Sequence, residues 1–346
     1  MLAINILNLL YISSSMNDLN AQIQSKISRI SFSNGKPLKD YVSTLVIKDR
    51  DVGFSIDITG MHLSEGEDVR QKAECAIAEI HDIGKISISL TSTRENLAKN
   101  SSAKVKHYIN NVCNIILVAA GKGGVGKSTI AVALAESLQK AGKNVGLVDA
   151  DIYGPSIPQM FGINKMPEIV ENKMIPHKVR GLQINSIGFL TKGEAVAWRG
   201  PMTSKAIYQL LSVTAWDNLD YLIIDMPPGT GDIHLSILEN YHVSGAVIVT
   251  TPQKISQIDV EKAIELYKKF NLPIFGIIEN MSYFIDPATS SHIKIFEGDS
   301  GSHLAKKYNT KLIAQLPIIP EIAATCDEGK PLSSLVDIPL TSFLRL

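Results

Sequence analysis

ILVAAGKGGVGKSTIAVALAESL, residues 116–138, is the stretch whose reading decides the fold. An apolar run leads into a glycine-rich loop, and the chain then turns helical. Gly121, Lys122, Gly123, Gly124, Val125, Gly126, Lys127 and Ser128, with Thr129 next, match G-x-x-x-x-G-K-[ST]. Strand, loop and helix in that order are the context such a match requires. Glycines let backbone N–H groups wrap around phosphates, and the helix N-terminus adds positive potential. Lys127 is expected to reach the β- and γ-phosphates, and the Ser128 hydroxyl to ligate Mg²⁺. One lysine suffices for such a loop, so Lys122 needs a separate explanation.

Outward from the loop, short apolar runs alternate with helical segments: NVGLVDA, YLIIDMP, GAVIVTTP, PIFGIIENM and KLIAQLP. Uninterrupted Val/Ile/Leu runs predict strands buried on both faces, hence a mostly parallel sheet wrapped by helices. Asp225 ends one such run, where a second Mg²⁺ carboxylate belongs. Asp149 and Asp151 end another, and ligands of open α/β sheets gather at the carboxyl ends of strands. One of these two aspartates can orient an attacking water. Asp151 is the choice, because it lies further into the loop, although strand-end aspartates also serve simply as helix caps.

The N-terminal part has a different pattern. Residues 18–30 space Leu19, Ile23, Ile27 and Ile30 as a helix does, and residues 42–59 read as two strands with a turn near 49–51. Ser64 followed by Glu67 has the form of a capping box, before a helix whose apolar face is Val69, Cys75, Ile77 and Ile80. KISISL closes the unit as a strand. The chain is thus expected to be α/β, a P-loop NTPase domain at 111–346 preceded by a small α+β domain at 16–94, with a polar linker at 95–110.

Lys+Arg and Asp+Glu number 34 each in the 346 residues, so no charge excess calls for nucleic acid. The 3 cysteines, Cys75, Cys113 and Cys326, form no C-x-x-C, which fits a reducing, cytoplasmic setting. Residues 1–15 are apolar without a preceding basic residue. They read as an extension upstream of Met16 rather than a targeting signal. No other long charge-free apolar run occurs, so no stable membrane insertion is expected.

KGGVGKST with its early lysine, DADIYGPSIPQMFG, WRGPM, IIDMPPGTGD, VTTPQ and ENMSYF together resemble the Mrp/ApbC family of iron–sulfur cluster carrier ATPases, over residues 111–335. That family belongs to the deviant Walker A group with MinD, ParA and nitrogenase iron proteins. The N-terminal unit resembles the MIP18-like domain that precedes it in bacterial members. The resemblance implies ATP and Mg²⁺ as ligands, an iron–sulfur cluster as cargo, a homodimer sandwiching nucleotide, and apoprotein clients or cluster-assembly proteins as partners. It implies that Lys122 reaches across the dimer to the other subunit's phosphates, by the logic of an arginine finger. It further implies that Asn280 reads adenine, that Pro317 lies near the base, and that Thr251 and Pro252 lie beside the phosphates. WRGPM, residues 198–202, marks the carrier branch without an assigned chemistry.

One departure is prominent. Where the family usually has C-P-x-C after ENMSYF, this chain has Asp286, Pro287, Ala288 and Thr289. Clusters demand soft thiolates, which a carboxylate and a hydroxyl do not replace. The cysteine usual in the DITGMHL loop is also missing. Two functions therefore stand open: a cluster carrier with other ligands, for which Cys326 and Cys113 are the remaining thiols of the domain, and an ATP-switched binding protein without cargo. A MinD-like membrane-partition ATPase ranks below both, because SSLVDIPLTSFLRL is not a basic amphipathic helix.

Overall fold

The computed structural model describes residues 18–32, 34–48, 50–59, 61, 63–92, 106–191 and 200–340. The apolar N-terminal stretch, most of the expected linker, and Trp198 and Arg199 of WRGPM lie outside these residues. The chain forms two compact units, Met1–Lys106 and His107–Leu346. No helix among the described residues is long and apolar enough to cross a membrane.

In the first unit, Asp51–Asp57 is the central strand of three. It pairs antiparallel with Val46–Lys48 and parallel with Ile86–Thr91. Its alternation is that of a half-buried strand: Val52, Phe54 and Ile56 are buried, while Asp51 and Asp57 are exposed. The parallel pairing needs a crossover, which Leu63–Ala78 supplies. That helix and the one over 18–27 close the core with Val69, Ala73, Ile77, Leu19, Ile23 and Ile27. Two local expectations fail here. Ala73, not Cys75, completes the buried helix face, because spacing four from Val69 and Ile77 keeps it in line. The helix already includes Leu63, so Ser64 is not its cap, and the Glu67 carboxylate is taken by Arg70 Nε at 2.7 Å.

The second unit is built on a nine-stranded sheet. Across it run Leu312–Ile318, Ile274–Ile285, Gly245–Thr250, Val112–Ala120, Leu219–Asp225, Val145–Asp149 and Leu182–Ser186, all parallel. The short strands His177–Val179 and His292–Ile293 pair antiparallel at its margins. Leu182–Ser186 escaped the sequence reading, because Gln183 and Asn185 interrupt its apolar pattern. The Asn185 amide is nonetheless buried, and donates to Thr214 Oγ1 at 2.8 Å.

The strand Val112–Ala120 shows why the sheet needs two covers. Ile116, Val118 and Ala120 point to the face covered by Lys127–Lys140, through Ile130, Leu134 and Leu138. Leu117 and Ala119 point to the other, where Asp232–Asn240, Lys254–Lys269 and Gly200–Ser212 bring Ile237, Ile264 and Leu210. Burial of each such Val, Leu or Ile side chain contributes about 1.5–3 kcal/mol. The parallel strands also bring their carboxyl ends to one edge. There Asp225 stands in register with Asp149, and Asp149 with Ser186.

Right after the central strand, Gly121 passes against Lys254–Lys269. A Cβ there would lie 2.2 Å from Val260 N and 2.3 Å from Asp259 C, both backbone atoms that cannot rotate away. Gly121→Ala is therefore expected to destabilise the unit by about 1–3 kcal/mol through overpacking. Urea unfolding should show a lower midpoint at unchanged slope.

Candidate active site

The loop that follows has its shape from glycine. Gly124 and Gly126 adopt φ of +80° and +82°, the left-handed region that side chains strain. At Gly126 a Cβ would also lie 2.3 Å from Asn280 Nδ2. Gly126 then serves as N-cap of Lys127–Lys140, so the first-turn amides of that helix face the loop. Gly123 and Gly124 are exposed and have no neighbour where a Cβ would stand, leaving the loop open on that side.

Lys127 is buried at the helix start. Its Nζ lies 2.7 Å from Asp225 Oδ1 and 3.4 Å from Asp151 Oδ2. The Ser128 hydroxyl donates to the other oxygen of Asp225, at 2.6 Å. Four residues predicted from three separate segments thus meet at the carboxyl edge of the sheet. Burial raises the Asp225 pKa, against the pull of the Lys127 ammonium and the Ser128 hydroxyl. Asp149 lies next to it, fully buried. Its carboxyl accepts from Asp151 N, Ile157 N and Ser186 Oγ at 3.1–3.2 Å. Burial first, and then the charge of Asp225, push it up to about 7. Asp151 is less enclosed and accepts from Tyr153 N at 3.1 Å.

Three carboxylates against one ammonium leave the cluster short of positive charge. Hard oxygens from Ser128 and Asp225 suit Mg²⁺, which binds through one or two carboxylates plus phosphate oxygens and water. Among the described residues, no group of three or more His, Cys, Asp or Glu side chains could hold a metal unaided.

The remaining candidates are spread around this centre. Asn280 is buried midway along Ile274–Ile285 and donates Nδ2–H to Val125 O at 2.9 Å, so in this structure its amide nitrogen braces the loop. Pro317 is half-buried opposite Tyr283. Thr251 and Pro252 are buried just beyond Gly245–Thr250. Lys122 is half-buried and makes no hydrogen bond or ion pair among the described residues.

The segment at the expected cysteine positions is a closed turn. The Asp286 carboxylate accepts from Ala288 N at 2.9 Å and from Thr289 Oγ1 at 2.8 Å, and these bonds hold its pKa down. Backbone bonds from Ser290 N to Asp286 O and from Asp286 N to Ser291 O finish the turn. Cys326 is half-buried in Glu321–Asp327. Burial, then Asp327 and Glu136, raise its thiol pKa, which disfavours the thiolate a cluster needs.

Two functional candidates had no signal in the sequence. His234 is fully buried, with Nε2 3.0 Å from Pro227 O and Nδ1 2.9 Å from Tyr267 OH. Pro227 follows Asp225 by two residues. Only pairing across the fold reveals this contact, because His234 and Tyr267 lie on different helices.

A family model described as the iron-transfer P-loop NTPase of the ParA/NUBPL type matches residues 111–340. An iron–sulfur cluster carrier protein of Rickettsia conorii is 54% identical over 94% of this chain and 98% of its own length. A protein of the same name from Escherichia coli K12 is 44% identical over 81% of this chain and 75% of its own. Among solved structures, a nucleotide-binding protein from Archaeoglobus fulgidus, in complex with ADP, superposes with a TM-score of 0.59 and 37% identity, over 66% of this chain and 90% of that one.

Burial lowers the His234 pKa from 6.5 to about 4, outweighing the upward pull of the Pro227 carbonyl. The unfolded chain therefore binds a proton between these values that the folded one does not. The stability this contributes is complete above pH 6.5 and is lost as pH falls through 4, a difference of about 3 kcal/mol. Asp149 slopes the opposite way, because its raised pKa favours the fold at low pH, so the difference between two proteins is the quantity to measure. Urea unfolding of wild type minus His234→Gln across pH 4–7 should show the difference shrinking as pH falls.

Proposed function

Because the chain belongs to the iron-transfer P-loop NTPase family, we propose that it is an ATP-driven iron–sulfur cluster carrier that closes into a homodimer around nucleotide. It is a P-loop ATPase. The observation that carries the proposal is the meeting of Lys127, Ser128, Asp225 and Asp151 at the end of one glycine loop. On this reading Lys127 exchanges its carboxylate partners for the β- and γ-phosphate oxygens, while the amides of residues 121–129 line the remaining phosphate surface. Ser128 and Asp225 would hold Mg²⁺, which when bound neutralises charge developing on the phosphates. Asp151, nearest to Lys127 after Asp225, orients the attacking water. Asn280 and Pro317 contact the base, and Lys122, without a partner in its own chain among the described residues, reaches the neighbouring subunit's phosphates.

Names of relatives support the carrier role. Its partners would be apoprotein clients or cluster-assembly proteins in the cytoplasm. The organisation proposed is a MIP18-like domain at 16–94, a linker at 95–110 and the ATPase at 111–346. A second reading has its own support. Asp286 and Thr289 offer no thiolate, and Cys326 is held toward its protonated form. A nucleotide-switched dimer without cargo would look the same at this turn.

Lys127→Ala is expected to remove ATP hydrolysis and weaken triphosphate binding strongly, since the main cation of the loop is gone. Lys122→Ala should bind ATP nearly as wild type and hydrolyse it slowly, because its contact forms only between subunits. Mixing the two variants should restore turnover if Lys122 acts in trans, measured as phosphate release.

Anaerobic reconstitution with iron and sulfide separates the two functional readings. The unmodified protein is expected to hold little stable iron at the Asp286 turn, and Asp286→Cys with Thr289→Cys to hold a cluster there. Stoichiometric iron in the unmodified protein, lost in Cys326→Ser, would move the ligand role to Cys326. Absence of a cluster in both proteins would favour the dimer without cargo.

A further inference from the structure

Residues 226–231 run on from Asp225 beside the strand that feeds the phosphate loop. Their backbone is tied down at Met226 N to Val118 O, 3.0 Å, and at Gly229 N to Ala120 O, 3.1 Å. Both partners are on the strand that feeds the loop. A third tie comes from a side chain: His234 Nε2 to Pro227 O, 3.0 Å.

The chemistry of that contact assigns the tautomer. A carbonyl oxygen can only accept, so Nε2 carries the proton. Nδ1 of the neutral ring is then a lone pair, and the partner 2.9 Å away, Tyr267 OH, must donate to it. Tyr267 is itself fully buried. A ring turned to the other tautomer would set a lone pair against the Pro227 carbonyl, so the tyrosine keeps the histidine able to donate.

Tyr267 belongs to the helix Lys254–Lys269, the same helix whose backbone at Asp259 and Val260 presses on Gly121. Val260 and Tyr267 are seven residues apart, two turns along one face, or about 10 Å. One helix thus abuts the first residue of the phosphate loop directly, and reaches the segment after Asp225 through a tyrosine and a histidine.

We infer that His234, oriented by Tyr267, is a positioning residue for nucleotide hydrolysis: its hydrogen bond to Pro227 fixes residues 226–231 beside the strand that feeds the phosphate loop, and so steadies Asp225, whose position the sheet register sets. The inference rests on hydrolysis at the Lys127 site. Wild-type turnover, measured alongside, tests that premise separately.

A pair that merely filled the core would affect how much protein folds, not how fast each folded site turns over. The test is steady-state ATP hydrolysis per nucleotide-competent site, counted by titration with a fluorescent ADP analogue, together with thermal melting. In His234→Asn the shortened amide no longer reaches Pro227 O. Its kcat should fall on the order of tenfold with KM for ATP within about twofold, as for a group that acts on transition-state geometry. In His234→Gln the amide nitrogen stands near the place of Nε2, and kcat should recover to within about threefold of wild type. Tyr267→Phe, the mildest change and the one that keeps the fold if the others do not, should lower kcat and leave KM unmoved. Histidine ¹⁵N spectra of the unliganded wild type should show an Nε2-protonated His234. Equal kcat per competent site in the variants, no advantage of Gln over Asn, or an Nδ1-protonated ring would each overturn the assignment.

Discussion

The ion pair between Lys127 and Asp225, 2.7 Å long and buried, is the constraint around which the second unit is arranged. An ammonium and a carboxylate removed from water cost several kcal/mol each unless they meet in good geometry. Meeting requires the helix after the glycine loop and the strand before residues 226–231 to end at the same point. The parallel register of Val112–Ala120 with Leu219–Asp225 provides it. Ser128 then donates to the second oxygen of Asp225, and Asp151 adds a further carboxylate beside Lys127.

The pair also explains how the site keeps its shape. Lys127 does not wait as an unpartnered cation; it rests among the carboxylates that would serve a metal ion. On the proposed function, binding of a magnesium nucleotide would be an exchange of partners inside a preformed cradle. Asp149, pushed toward neutrality by its burial and then by the charge of Asp225, holds Asp151 N and Ile157 N and so keeps the neighbouring loop in place.

Much of the centre was legible in the sequence because its signals are local. Residues 121–128 have a fixed spacing, and Asp149, Asp151 and Asp225 each end an uninterrupted apolar run. What escaped depends on pairing across the chain. Leu182–Ser186 was missed because a strand buried by its neighbours can carry Gln183 and Asn185 once their amides find partners. The Ser64–Glu67 pattern misled because a carboxylate on a helix surface is also within reach of Arg70. The contact of His234 with Tyr267 spans 33 residues and two helices, and no periodicity records it.

The self-contained turn at residues 286–291 has a consequence for the timing of assembly. Its polar groups are satisfied within the turn, so the tip reaches its final shape without help from a second subunit. A bridging cluster would give a dimer two clasps, one made of iron and one of nucleotide. On the reading without cargo, a dimer of this chain would stay closed only as long as its nucleotides do, and the clock of its opening would be the turnover of ATP rather than the supply of iron.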